Sequence, residues 1–312
     1  MEVPPLGRLG LGRGRRRTLP LATSPEFGDS CLRGIIYLVG IGMKQGGKLT
    51  VDSKAKHWPY EHAIVTCALA ESAAVCTQLK LTVPNLQEIT QKAGQFIIDN
   101  QRVSGAWDYS YSENSARGGD LSITAWHLQA LKACNDTGIA FRNLARCISR
   151  ALEFTERCQN QNGGFGYVGP NSPLADYFTL TGAGVLGLQM WDKGSHGSVR
   201  DGTKYIDSNT KFEYDTRFAD LYGHFFESQA MLNRSGEQWR RYSAMTLDQL
   251  LANQNPDGSW KAPGGGKTLR AVAPQYVQDA HFRTCLCTLM LEVYYRFLPA
   301  VRPAKAPGNA EL

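Results

Sequence analysis

Five acidic residues stand at corresponding points of the 312-residue chain: Glu61, Asp120, Asp176, Asp220 and Asp279, separated by 59, 56, 44 and 59 residues. Each opens a segment that reads as an apolar helix. Four of them have an ionisable or aromatic neighbour: His62 after Glu61, Tyr177 after Asp176, Tyr222 and His224 after Asp220, and His281 after Asp279. Carboxylate, imidazole and phenol together can hold a polar group or move a proton. Aspartate at a helix start also has a structural use, because it caps free N–H groups and complements the helix dipole. That use accounts for each acid singly and leaves the accompanying His and Tyr unexplained. The densest set is Asp220, Tyr222, His224 and Glu227. On a helix, His224 and Glu227 share a face at a spacing of three, and Asp220 precedes His224 by four, so a carboxylate–imidazole pair is expected. Asp220, His224 and Glu227 are therefore the candidate catalytic acid/base group. Glu61, His62, Asp120, Asp176, Tyr177, Tyr222, Asp279 and His281 are the candidate substrate-binding residues, and Glu213, Tyr214 and Asp215 lie in a loop able to cover the site.

Elements that could bring these residues together are visible as a repeat. Lys92, Ala93, Phe96, Ile97, Gln101, Gly105 and Trp107 set a frame. Arg150, Ala151, Phe154, Gln159, Gly163 and Phe165 repeat it, and so do Leu250, Leu251, Gln254, Gly258 and Trp260. In all three, Gln is followed four residues later by Gly and six later by an aromatic ring. Each frame begins as a helix with an apolar stripe and ends in a polar turn such as Asn253-Gln254-Asn255-Pro256-Asp257. The Gly supplies a backbone angle other residues avoid, the Gln amide is placed to bond backbone groups at the helix ends, and the ring buries the turn. After each brace comes a glycine-containing loop and then one of the acid-led helices. Those helices (Ile64 to Cys76, Ile123 to Ala133, Leu180 to Met190, Phe225 to Leu232, Cys285 to Tyr295) are apolar around most of their circumference, which marks them as inner. The pattern gives about five to six helical hairpins, five of them at 28–80, 86–136, 141–192, 198–234 and 238–298. Curled so that every inner helix has two neighbours, they make an all-α fold: a single α/α toroid with a central cavity whose mouth the acids ring.

Composition supports one folded body, 28–298, between a basic tail at 1–27 and a flexible tail at 299–312. Aromatic residues at 10% and hydrophobic residues at 42% exclude whole-chain disorder. The 32 glycines have no period of three, which excludes collagen; eleven fall in the brace-and-loop segments. Of the net charge of +6, residues 1–27 hold +3 and the last fourteen +1, leaving +2 for the body. A nucleic-acid partner is not expected from so small an excess. Eight cysteines are too dilute for a disulfide framework, which points to reduced thiols and a cytoplasmic setting. The longest uninterrupted apolar run, Gly34 to Met43, is too short to span a bilayer, so no transmembrane segment is expected; peripheral membrane contact through an apolar patch is left open.

The frame Lys92-Ala93-x-x-Phe96-Ile97-x-x-x-Gln101-x-x-x-Gly105-x-Trp107 resembles the Gln-Trp repeat of squalene and oxidosqualene cyclases and of the related protein prenyltransferase β subunits, over about residues 30 to 298. The resemblance implies an apolar, isoprenoid-like substrate in the cavity. Cyclases of this kind protonate an alkene with the middle Asp of a D-x-D-D motif. The matching stretch is Asp120-Leu-Ser122-Ile-Thr124-Ala125, with Ser122 in the proton donor's place and Ile123 at the fourth position. The β subunits hold zinc with an Asp, a Cys two residues on, and a His from a His-Thr-Cys-x-Cys stretch. This chain reads Arg283-Thr284-Cys285-Leu286-Cys287 there, and its D-x-C, Asp29 to Cys31, falls in the wrong repeat. His281 is two residues from Arg283, about 200° round a helix, so it cannot stand in for the missing ligand. Neither a metal nor another cofactor is expected. The functional expectation is a cyclase- or prenyltransferase-like protein that acts on an isoprenoid by acid/base chemistry of a non-standard kind. The alternative is a non-catalytic toroid that binds or scaffolds a lipid, peptide or protein. Gly182-Ala-Gly184-Val-Leu-Gly187 spells a dinucleotide fingerprint, but it falls inside an inner helix where small residues serve close packing, not in a βαβ turn.

Overall fold

The computed structural model describes residues 25–111, 118–170, 177–266 and 278–294. They form an all-α protein. The helices are α1 (Pro25–Lys44), α2 (Trp58–Leu79), α3 (Leu86–Asp99), α4 (Leu121–Asp136), α5 (Leu144–Arg157), α6 (Tyr177–Met190), α7 (Gly197–Asn209), α8 (Leu221–Arg234), α9 (Gly236–Ala252) and α10 (Ala280–Glu292). Among the described residues, β-pairing is confined to two isolated bridges, Gln159 with Phe165 and Gln254 with Trp260. Both lie inside braces.

Packing follows chain order. Helices α2, α4, α6, α8 and α10 pack successively on one another, and α1, α3, α5, α7 and α9 back them from outside. Burial agrees: every residue from Leu121 to Cys134 of α4 is buried, whereas α5 buries a single stripe of Cys147, Ile148, Ala151, Leu152, Phe154 and Thr155. One large core runs through α4, α6 and α8, and a smaller one joins α1, α2 and α3. Helix α1 begins at Pro25, three residues ahead of the body's expected start. Helix α2, 22 residues long, is by length and composition apolar enough to cross a membrane, although it carries Glu61, His62 and Glu71 and packs against α1, α3 and α4.

The braces work through the backbone. Gln101 Nε2 donates to the Gly105 carbonyl (2.8 Å) and to that of Cys147 in α5 (2.7 Å). Gln159 Nε2 does the same for Gly163 (3.1 Å) and Ser198 in α7 (2.8 Å). Gln101 and Gln159 thus tie their turns to the next outer helix, bonding backbone carbonyls of both. Trp107 Nε1 donates to Ile97 O (2.9 Å) and Trp260 Nε1 to Leu250 O (2.8 Å), so both rings are pinned ten residues back. Gly105 needs to be glycine twice over: its φ is +89°, and a Cβ would lie 2.2 Å from the Arg150 carbonyl oxygen. One further recurrence was not read from the sequence. Asn85 and Asn143, each at φ 61°, precede α3 and α5, a left-handed conformation that asparagine tolerates. In α6, a Cβ on Gly182 would fall 2.5 Å from Glu227 N and one on Gly184 2.3 Å from the Phe165 ring, so these glycines let α8 and a brace ring approach.

Candidate functional site

The acids at the inner-helix starts are first of all caps. Asp120 Oδ1 accepts from Ser122 N (2.9 Å), Asp220 Oδ1 from Gly223 N (3.2 Å), and Asp279 Oδ1 from His281 N (2.9 Å) and Phe282 N (3.1 Å). Glu61, in the first turn of α2, is exposed and accepts a bond from the Thr50 hydroxyl (2.5 Å). Asp279 and His281 are also exposed. Asp176 lies outside the described residues, as does the side chain of Tyr177, whose backbone opens α6.

His224 and Glu227 do share a face as their spacing requires, with His224 Nδ1 3.5 Å from Glu227 Oε2 and no hydrogen bond between them. Both are buried. His224 Nε2–H is shared between the carbonyls of Lys211 and Phe218 (3.1 Å each), so its Nδ1 accepts from the Tyr242 hydroxyl (2.9 Å). Burial lowers His224 to about 4. Glu227 accepts from Thr210 Oγ1 (3.0 Å), while burial, helped by the charge of Asp220, pushes its carboxyl well above the usual range. The imidazole is therefore neutral and Glu227 holds its proton. Asp220 accepts in addition from the Thr179 hydroxyl. The group is a network joining α6, α8, α9 and the loop after α7, with Glu227 Oε2 buried and without a hydrogen bond. His62 is neutral for similar reasons: Nδ1 accepts from Leu49 N (3.0 Å), Nε2 lies 3.3 Å from Ala93 O, and burial lowers it to about 4. Tyr214, expected over the mouth with Glu213 and Asp215, is buried instead and donates to Lys261 O (2.8 Å).

A different cluster carries the better-placed chemistry. Tyr60 Oη lies 2.5 Å from Ser122 Oγ, and Ser122 Oγ donates to Asp120 Oδ1 at 2.5 Å. Tyr109 Oη is 3.4 Å from Tyr60 Oη, and Tyr222 Oη donates to Ser122 O (3.0 Å). Tyr60, Tyr109, Tyr167 and Tyr222 are all half-buried. Burial and then the mutual proximity of these phenols and Asp120 push Tyr60 and Tyr222 well above their ordinary value, so they stay protonated. Lys56 Nζ sits 5.6 Å from the Tyr109 ring centre. One turn further along α4, Trp126 stacks on Phe225 (5.1 Å, 16°) and meets Phe226 edge-on (5.3 Å), so aromatic rings fill the space between α4 and α8 below the tyrosines. Of the residues singled out from sequence, Asp120 and Tyr222 meet here; Asp220, His224 and Glu227 form their own network. Tyr60, Tyr109, Ser122 and Trp126 were not proposed as binding residues. The available signal was Tyr60 next to Glu61 and the hydroxyl of Ser122 in the proton donor's place.

Where the zinc stretch would stand, Arg283 is buried with Nε donating to Trp260 O (3.0 Å), Cys285 is exposed, and burial pushes the Cys287 thiol up to about 12. Among the described residues no three His, Cys, Asp or Glu side chains come together to hold a metal. A surface cleft of about 310 Å³ lies between α7 and the α8–α9 turn, lined by Arg200, Lys204 and Arg234, away from every candidate above. Compared with models of known protein families and with curated proteins, the chain matches none.

Proposed function

We propose that the chain is a single α/α toroid of the Gln-Trp repeat type, akin to squalene cyclases and prenyltransferase β subunits, that binds a ligand without cyclase chemistry. The ligand has an apolar body and a cationic end, in a small molecule or a peptide, and that end sits among Tyr60, Tyr109, Tyr167 and Tyr222 beside Asp120. The toroid reading is supported by the successive packing of five inner helices with outer partners, and by braces that tie each repeat to the next. The binding reading is carried by one observation: Ser122 stands in the acid's place, bonded between Tyr60 and Asp120. A hydroxyl so held is far too weak an acid to protonate an alkene. Phenol faces with a neighbouring carboxylate attract a cation, as Lys56 over Tyr109 already does. Aromatic packing below the tyrosines keeps the site at the end of the helices.

The test is thermal shift and calorimetry of the full chain against matched prenyl amines and prenyl alcohols. Preference for the amine, weakened at least tenfold by Tyr60→Phe together with Ser122→Ala while the unliganded melting temperature holds, supports the reading. Equal response to both series, or no change in the variant, overturns it. The enzymatic alternative draws on the same short Tyr60–Ser122–Asp120 chain as a proton relay. Conversion of squalene or a shorter prenyl chain, lost in Asp120→Asn, would replace binding by catalysis.

A further inference from the structure

Among the described residues, helix α1 leaves an apolar stripe without a partner. Ile35, Val39 and Gly42, at i, i+4 and i+7, are buried in the small core with α3. On the adjoining face Leu32, Ile36 and Met43 are 39%, 53% and 56% exposed, and Tyr37 beside them is 64% exposed. Gly40 lies on the same stripe, and a Cβ there would meet nothing within 4 Å. Of the ten large hydrophobic side chains exposed among the described residues, five fall between Leu32 and Val51. The concentration is local, not a scatter of single exposed residues.

The net charge of the chain falls in the same part of the sequence. Residues 1–56 contain ten Lys and Arg against four Asp and Glu, the whole net charge of +6; residues 57–312 contain 24 of each sign. On α1 itself Arg33, Tyr37 and Lys44 follow at i, i+4 and i+11, a basic and aromatic border along the apolar stripe, with two acids, Glu26 and Asp29, near its beginning. Lys54 follows in the loop to α2, where Lys48 and Lys56 instead lie over the Phe96 and Tyr109 rings. An apolar stripe bordered by Tyr, Arg and Lys is what an interfacial helix presents to a bilayer. Headgroup charge supplies the complementary sign.

We propose that the exposed face of α1 docks on an anionic lipid bilayer, with Leu32, Ile36 and Met43 entering the headgroup boundary and Arg33, Lys44 and the basic residues around them facing acidic headgroups. A second copy fits this face less well, since self-complementary pairing would bring two +6 segments together. This surface is separate from the tyrosine cluster and does not depend on the function proposed above.

Full-length chain is sedimented with vesicles of phosphatidylcholine alone and of equimolar phosphatidylcholine and phosphatidylserine. The expected result is binding to the second and not the first, falling as salt is raised. Ile36→Ser with Met43→Ser lowers partitioning at least about tenfold, as expected for withdrawing two apolar side chains from the boundary. Arg33→Gln and Lys44→Gln lower it roughly fivefold each. Leu251→Ser, at an exposed apolar site on α9, changes nothing, and circular dichroism melts of all variants coincide. Equal binding to both vesicles overturns the proposal. So does binding that ignores the α1 substitutions and is lost only on neutralising Arg15, Arg16 and Arg17. A dimer in light scattering that the Ile36/Met43 variant dissociates assigns the face to a second copy instead.

Discussion

Three buried histidines should make the fold sensitive to mild acid, and Glu227 should partly hide it. Burial holds His62 and His224 at about 4 and His127 at about 3, with every ring nitrogen at hydrogen-bond distance from a backbone or phenol group. A folded pKa below the unfolded value means stability that is complete above about 6.5 and is lost as pH falls toward the folded value. At about pH 5.5 the unfolded imidazole is mostly protonated while the folded one is still neutral, which costs about 1.4 kcal/mol per histidine and roughly 4 kcal/mol for three. Glu227 has the opposite sign. Its folded pKa is raised by burial, so its contribution is complete below the unfolded value near 4.5 and is lost as pH rises through the folded one. Between about pH 7.5 and 5.5 it therefore offsets part of the histidine loss. Glu227→Gln removes that offset and can keep the bond from Thr210, so the variant's stability falls by the full histidine amount. Urea unfolding followed by circular dichroism at the two pH values measures both slopes. A variant no steeper than the parent chain refutes the assignment of Glu227 as a neutral buried acid. Assigned imidazole resonances of His62, His127 or His224 titrating near 6.5 in the folded state refute the histidine part.

The braces and the aromatic filling give further expectations. Gly105→Ala and Gly258→Ala both place a side chain at positive φ, but only at Gly105 would the Cβ collide, with Arg150 O at 2.2 Å. Denaturant midpoints should show a loss of about 1–2 kcal/mol at Gly258 from strain alone, and clearly more at Gly105. Gln101→Ala removes two bonds to carbonyls on different repeats and should cost roughly 1–3 kcal/mol. Trp126→Ala should cost about 3–5 kcal/mol and leave a dry cavity between α4 and α8. Benzene raising that variant's melting temperature, and not the parent's, is the check.

The helical pairing was legible because its signals are local and repeat. A Gln, a Gly four later and a ring six later appear three times, and helices apolar all round follow the loops; those helices are the ones packed in series. Inferred from spacing, the approach of His224 to Glu227 is also present, as a 3.5 Å contact between neutral groups with no hydrogen bond. The bonding of His224 to Tyr242, Lys211 and Phe218 could not be read, since those partners come from another helix and from loop carbonyls. For the same reason the Tyr60–Ser122 bond was out of reach: the two residues are 62 apart and meet only because α2 and α4 are neighbours. Asn85 and Asn143 could have been seen, being the same residue at equivalent turns.

Recurrence separates scaffold from function in this chain. The residues that recur at equivalent places, the Gln, Gly and Trp of the braces and the Asp at helix starts, each have a backbone partner that the repeat itself supplies. Their chemistry is spent on holding the array. A binding site must break the repeat, because a ligand is not repeated. The features that occur once are Ser122 bonded between Tyr60 and Asp120, the rings of Trp126 and Phe225, and the bare face of α1. Asp120 belongs to both sets, as a cap through its backbone bond and as part of the cluster through Ser122 Oγ. Asp120→Asn keeps the cap, since asparagine is as good there, and removes the charge. Its effect on prenyl-amine binding, with stability held, therefore separates the two roles.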